Sequence, residues 1–342
     1  MVLRGVVPTA LVWALLTAAP AVAGAEPVRV DRPAAPSQVR AWLLRIHDAA
    51  SRRNFQGTFV VSGGGNVASA RIAHYHEGGN QYERIEALDG KQRKVFRHND
   101  VVHTLWPGSH VALIEQRGLL NSFPALLQAS DDGIAAMYDV RAEGVERVAG
   151  READVLSVGA RDKYRHGYRL WADQESGLLL RADVIGEHGA VLETSAFSDV
   201  AIGVRPQPDT VLLAMRRLDG YQVVRPVLQP IRLEDAGWTM RHVAPGFRLV
   251  SCITRQMDSP GEASSDPASP PVIQAIYSDG LTYVSLFIEP YRPQRHGQPM
   301  LAALGATMTL SRRQGDWWVA VVGDTPALTL KYFASGLERR RP

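Results

Sequence analysis

One cysteine, Cys252, in 342 residues excludes an intramolecular disulfide and a cysteine-built zinc site. A lone thiol of this kind ordinarily serves as a small buried hydrophobe. Net charge is equally scarce. Thirty-eight basic and 35 acidic side chains leave +3, and the only dense arginine run is the tail, 339–341. That argues against the concentrated basic patch of a nucleic-acid binder. Catalytic signatures are missing too: there is no G-x-S-x-G elbow, no H-E-x-x-H and no S-x-x-K. No catalytic residue, metal site or cofactor is therefore assigned, and the chain is read as a non-enzyme. Gly63-Gly64-Gly65-Asn66 precedes a strand, whereas a phosphate loop opens a helix, so it reads as a turn. His74 and His76 share one strand face, as some metal sites require. No third ligand can be placed from sequence, and a solvated strand face accounts for the pair.

What is present is apolar material and strand pattern. A hydrophobic fraction of 45% excludes a wholly disordered chain, and the length fits about two domains. Residues 1–25 read as a cleaved secretory signal: Arg4, an apolar run over 6–19, then Ala21-Val22-Ala23-Gly24-Ala25 as the cleavage site. The run is shorter than the roughly 20 residues of a membrane span, so the mature protein is expected to be soluble and exported. Ser37 is expected to cap a helix in which Val39, Trp42, Leu43, Ile46 and Ala50 form one stripe.

From Gly57 the period changes to short strands with turn signals at 63–66, Asp89-Gly90, Gly150-Arg151 and 174–177. Ten or eleven antiparallel strands are expected over 36–204. A sheet that long twists and tends to curl into an open or closed barrel. The absence of crossover helices argues against a dinucleotide fold. An apolar segment interrupts the meander and carries Leu119, Leu120, Phe123, Leu126 and Leu127. It reads either as ordinary core or as a flap over a pocket that takes lipid chains. Prolines at 206, 208, 226 and 230 mark 205–230 as a linker. A smaller α+β domain follows over 231–337, with Thr325 capping its last helix and a Pro- and Ser-rich loop at 258–271. Trp317-Trp318 on a strand face opposite ways, and either one is exposed as an interface anchor or both are covered.

Several pieces, in order, resemble the MucB/RseB family of periplasmic regulators of the envelope-stress sigma factor. They are Leu88-Asp89-Gly90 with Arg93-Lys94-Val95, Tyr168-Arg169-Leu170-Trp171 with 173–178, Trp238 with Pro245-Gly246-Phe247, 277–281, and 321–326. The resemblance implies an N-terminal half-open β-barrel like the lipoprotein carriers and a C-terminal domain that contacts an RseA/MucA-type anti-sigma factor, shielding it from proteolysis. It further implies release by acylated lipoproteins or lipopolysaccharide, and a homodimer. The 258–271 loop is long for the family. On this reading Trp238, Phe247, Tyr283 and Trp318 are candidate partner anchors. The alternatives are a periplasmic lipoprotein or lipid carrier, which has no need of the second domain, and an exported hydrolase, for which no motif speaks.

Overall fold

The computed structural model describes residues 34–116, 133–255 and 271–340. The signal segment, the 119–127 segment and nearly all of the 258–271 loop lie outside the described residues. The first helix, α1 (Pro36–Arg52), begins one residue before the expected cap. Pro36 occupies its first turn and has no N–H to satisfy, so the helix starts without a side-chain cap and Ser37 lies inside it. Val39, Leu43, Ile46 and Ala49 form its buried stripe.

Six strands follow as a meander: β1 (Phe55–Gly63), β2 (Asn66–Glu77), β3 (Asn80–Ala87), β4 (Lys94–His98), β5 (Val101–Trp106) and β6 (Val111–Gln116). After a single turn of helix, α2 (Ile134–Met137), come β7 (Tyr138–Val148), β8 (Arg151–Ala160), β9 (Gly167–Asp173), β10 (Leu179–Ile185) and β11 (Val191–Ile202). β11 pairs with β1, which joins the two meanders into one sheet. With β12 (Gln222–Val224) at one edge, its order is β12-β6-β5-β4-β3-β2-β1-β11-β10-β9-β8-β7, and among the described residues the end strands do not meet.

The stretch expected to be a linker is partly ordered against this sheet. Helix α3 (Pro208–Arg216) buries Val211 against Ala73, Tyr75, Tyr82, Phe96 and Leu105. Strand β12 (Gln222–Val224) pairs in parallel with β6. Its prolines interrupt regular pairing, but the apolar face of α3 still has a core to bury. The chain enters the second sheet at β13 (Leu228–Pro230), four residues after β12.

The second sheet comprises β13, β15 (Arg248–Arg255), β16 (Val272–Ser278), β17 (Tyr283–Pro290), β18 (Met300–Leu304), β19 (Thr307–Gln314) and β20 (Trp317–Gly323). Its order is β13-β15-β16-β17-β20-β19-β18. Helix α4 (Ala327–Gly336) covers one face, burying Leu330 and Phe333 against Phe247 and Tyr277. Thr325 does not cap it. Pro326 is the N-cap and Thr325 is wholly buried. The last strand, β21 (Leu337–Arg339), pairs with β14 (Trp238–Met240), and the Arg339 guanidinium lies 5.4 Å from the Trp238 ring and 4.8 Å from the Trp317 ring.

Candidate functional site

The two sheets meet at the β16–β17 turn. Gly280 takes φ +98°, and a Cβ there would lie 3.3 Å from Ile134, so the turn needs glycine for its backbone and for its close approach. Asp279 shapes the turn with one carboxylate oxygen: Oδ1 accepts from the N–H groups of Leu281 and Thr282 at 3.0 and 2.9 Å. Its other oxygen reaches the first sheet. Tyr138 Oη donates to Oδ2 at 2.8 Å, and Arg165 Nη1 donates to it at 2.6 Å. Both the Arg165 and Asp279 side chains are fully shielded from solvent.

Arg165 is held from every side. Its Nε donates to Asp162 at 3.0 Å, and its second Nη donates to the Pro245 carbonyl. The guanidinium lies 5.5 Å from the Tyr138 ring and 5.3 Å from the Phe247 ring. Burial alone would depress its pKa, but the bond to Asp162 and the charge of Asp279 hold it above the usual arginine value. Burial, then the neighbouring Tyr168 and Asp279, push the Tyr138 phenol well above its ordinary value. The next residue in the turn, Leu281, is buried among Tyr138, Tyr168, Leu179 and Ala182 of the first sheet. A side chain of the second domain thus completes the core of the first.

Two further bridges flank this latch. Thr329 Oγ1 donates to the Tyr164 carbonyl at 2.6 Å. Glu193 Oε2 accepts from the Ala306 N–H at 3.4 Å, where Gly305 faces Gly63 and Gly64. Between them lies a cavity of about 250 Å³, partly open to solvent. Phe59, Val61, Leu179, Ala182 and Val184 supply its apolar wall. Tyr168 and Glu193 enter from the first domain, Tyr283 and Asp324 from the second.

A buried polar row crosses the first sheet. His74 pairs with Glu83, and Glu83 with Arg97, across three neighbouring strands. All three are about 5% exposed or less. His74 stacks on Phe55, and its Nδ1 bonds the Arg53 carbonyl at 3.0 Å. Burial lowers its pKa, only partly opposed by that bond. His74, expected on a solvated strand face, is instead a buried residue packed on Phe55 at the end of α1. Burial pushes the Glu83 carboxyl up to about 7, with the Arg97 charge pulling the other way.

That shift gives a pH dependence with a definite sign. The unfolded chain ionises Glu83 near 4.5, the folded chain near 7. Between those values the folded state binds more protons, so Glu83's contribution to stability falls as pH rises through that window. The loss is about 3 kcal/mol and is complete above the folded pKa. Urea unfolding of Glu83→Gln should lack this fall and show a more stable protein at pH 8. Superimposable pH profiles for the two proteins would place Glu83 in water.

The sequence-predicted partner residues fall differently from one another. Trp238 has no exposed surface and Phe247 has 4%. Trp318 is 8% exposed and stacks on His296 with ring centroids 5.0 Å apart. Trp317 is half-buried, edge-on to Trp238 at 5.7 Å. Trp318 is therefore covered, and Trp317 only in part. Tyr283 alone of the four anchors is half-exposed, on the cavity wall. The residues that join the domains, Tyr138, Arg165, Asp279 and Glu193, escaped the sequence reading. Asp279-Gly280 was visible only as turn chemistry, and an isolated Arg165 in a loop carries no local signal.

With the two-domain geometry described, the relationship to known proteins is decisive. Residues 38–215 match the MucB/RseB N-terminal domain family and residues 232–338 match the MucB/RseB C-terminal domain family. The chain belongs to the MucB/RseB family. A curated relative, the sigma factor AlgU regulatory protein MucB of Pseudomonas aeruginosa, is 31% identical over 299 residues, covering 86% of this chain and 88% of that protein. The sigma-E factor regulatory protein RseB of Escherichia coli K12 is 24% identical over 300 residues, covering 87% and 90%. Among solved structures, the MucA/MucB complex of Pseudomonas aeruginosa superimposes with a TM-score of 0.66 at 29% identity, covering 89% of this chain and all of that one. The MucB/RseB fold, a large open sheet that is antiparallel apart from β12, followed by a smaller α+β domain, agrees with the antiparallel meander expected from the strand pattern and with the half-open form implied by the resemblance. Its named relatives are regulatory proteins. Among the described residues no group of three or more potential ligands is placed to hold a metal.

Proposed function

We propose that this chain is a periplasmic, non-enzymatic negative regulator. It binds the periplasmic part of a MucA/RseA-type membrane anti-sigma factor and shields it from proteolysis. The observation that carries the reading is the match, over both domains, to a MucB solved together with MucA. The family relationship and the regulatory relatives support it. A carrier acting through its first domain alone fits less well, because Leu281 of the second domain fills the core of the first. On this reading the domains act as one unit, and Tyr283, at their junction, is the anchor candidate with free surface. Relief of shielding by acylated lipoproteins or lipopolysaccharide, through the 119–127 segment, and self-association as a dimer belong to the same proposal.

The test is a titration of the purified mature chain with the periplasmic segment of its cognate anti-sigma factor. Saturable binding is expected, together with slower cleavage of that segment by an added protease. A ligand that binds only the folded chain stabilises it, by about 2.7 kcal/mol at a hundredfold excess over Kd, and so raises its unfolding midpoint. No heat of binding and no shift in midpoint would remove the reading.

A further inference from the structure

We propose that the cavity between the domains receives one cation carried on an apolar stem, the side chain of a lysine or arginine in the bound anti-sigma segment. This deepens the partner-binding reading above and rests on it. The wall is apolar, built by Phe59, Val61, Leu179 and Val184. An engineered apolar cavity of roughly 150 Å³ accepts benzene, so one of about 250 Å³ has room for a four-carbon stem. The charges on the wall that lack an ion-pair partner among the described residues are of one sign. Glu193 enters from one domain and Asp324 from the other, and among the described residues neither is in an ion pair.

The one cationic side chain on the wall is already committed. Arg181 holds both oxygens of Asp183, at 2.9 and 2.7 Å, and lies 4.4 Å from the Trp171 ring. Each cavity carboxylate has a neutral donor: Glu193 accepts from the Ala306 N–H, and Asp324 accepts from Thr307 Oγ1 at 2.5 Å. These donors hold the carboxylates in place without neutralising them. The negative field is felt by their neighbours. Burial raises the Glu193 carboxyl and the Tyr283 phenol, and the charge of Asp324 adds to both. Burial lowers the nearby His166, so it does not supply the missing charge near neutral pH, although Asp324 and Glu187 oppose that shift.

Lysine and arginine suit such a site because each buries an apolar stem behind a charged head. Tyr168 and Tyr283 add aromatic faces that attract a cation. A phosphate or fatty carboxylate head is repelled by the same pair of acids. The cavity therefore discriminates by charge among amphiphiles of one chain length.

The experiment uses the full mature chain and three probes, hexylammonium, hexanoate and hexanol, followed by the anti-sigma segment. Hexylammonium is expected to bind most tightly and hexanoate least. Glu193→Gln and Asp324→Asn, each nearly isosteric and each keeping its hydrogen-bond acceptor, should weaken both hexylammonium and the segment by about tenfold or more. Unchanged melting curves show that the variants fold. Equal binding of hexanoate, or no loss in either variant, overturns the cation site. Loss of hexylammonium binding with full affinity for the segment overturns the peptide side chain as occupant. A wild-type chain that ignores the segment but still prefers hexylammonium overturns the proposed function and leaves the cation specificity of the cavity standing.

Discussion

Arg165→Ala should lower the stability of the folded two-domain chain by about 3 kcal/mol, the lower end of the range for breaking a buried ion pair. The cost comes from the partner left behind. Asp279 is fully shielded, and a buried carboxylate without its cation is far more expensive than the intact pair is stabilising. The lower end applies because Asp279 keeps three donors: the Tyr138 hydroxyl and two backbone N–H groups of its own turn. The same substitution strips the Pro245 carbonyl and Asp162 of their donor. Both domains lose, since Arg165 comes from the first and Pro245 from the second.

Two companion variants separate the parts of this latch. Tyr138→Phe removes one hydrogen bond to a charged group and should cost about 1.5–3 kcal/mol. The double variant should cost less or more than the sum of the two, because both side chains meet on Asp279 Oδ2. Urea unfolding followed by tryptophan fluorescence reads all three. Small-angle scattering reads whether the domains separate in the native state. An Arg165→Ala protein with an unchanged midpoint and unchanged dimensions would show that this contact does not hold the domains together.

The latch also shows where sequence reasoning stops. Strand spacing and turn residues made the long antiparallel sheet legible, because an alternating pattern and a two-residue turn are local signals. The Gly64-Gly65 turn is where it was expected, whereas Asp89-Gly90 lies in a six-residue connection, 88–93, between β3 and β4 and not in a two-residue turn. The prolines at 206, 208, 226 and 230 read locally as a linker, yet α3 between them packs Val211 into the first core. A tertiary surface decided that segment, and proline content could not report it. The interdomain contacts are longer-range still. Tyr138 and Asp279 are 141 positions apart and Arg165 and Asp279 are 114 apart. Each alone looks like an ordinary aromatic, a turn aspartate or a loop arginine. Likewise a large aromatic in a strand is equally a core residue or an anchor by sequence, and only burial distinguishes them.

For Trp238 the structure makes the distinction, and its replacement should have the second large effect. Trp238→Ala should cost about 3–5 kcal/mol, the range for removing a buried large aromatic, and lower the unfolding temperature by about 10 °C. The ring has no exposed surface, packs edge-on to Trp317 at 5.7 Å, and lies beneath Arg339. Its loss opens a void between β14 and the closing strand β21, which pairs Trp238 with Arg339. Arg339 also donates to the Ala236 carbonyl at 2.7 Å, so the C-terminal strand should fray with the cavity. Trp238→Phe should be milder. It keeps most of the packing and removes an indole N–H that has no acceptor among the described residues, and an unsatisfied buried donor itself costs about 1–3 kcal/mol. A partner anchor behaves in the opposite way: truncation costs about 2 kcal/mol or more in binding and little in folding. Calorimetry of the free chain and titration of the anti-sigma segment therefore give opposite signatures. An unchanged melting temperature with a large loss of affinity would return Trp238 to the interface. A large fall in melting temperature, with affinity retained by the folded fraction, is the outcome its burial demands.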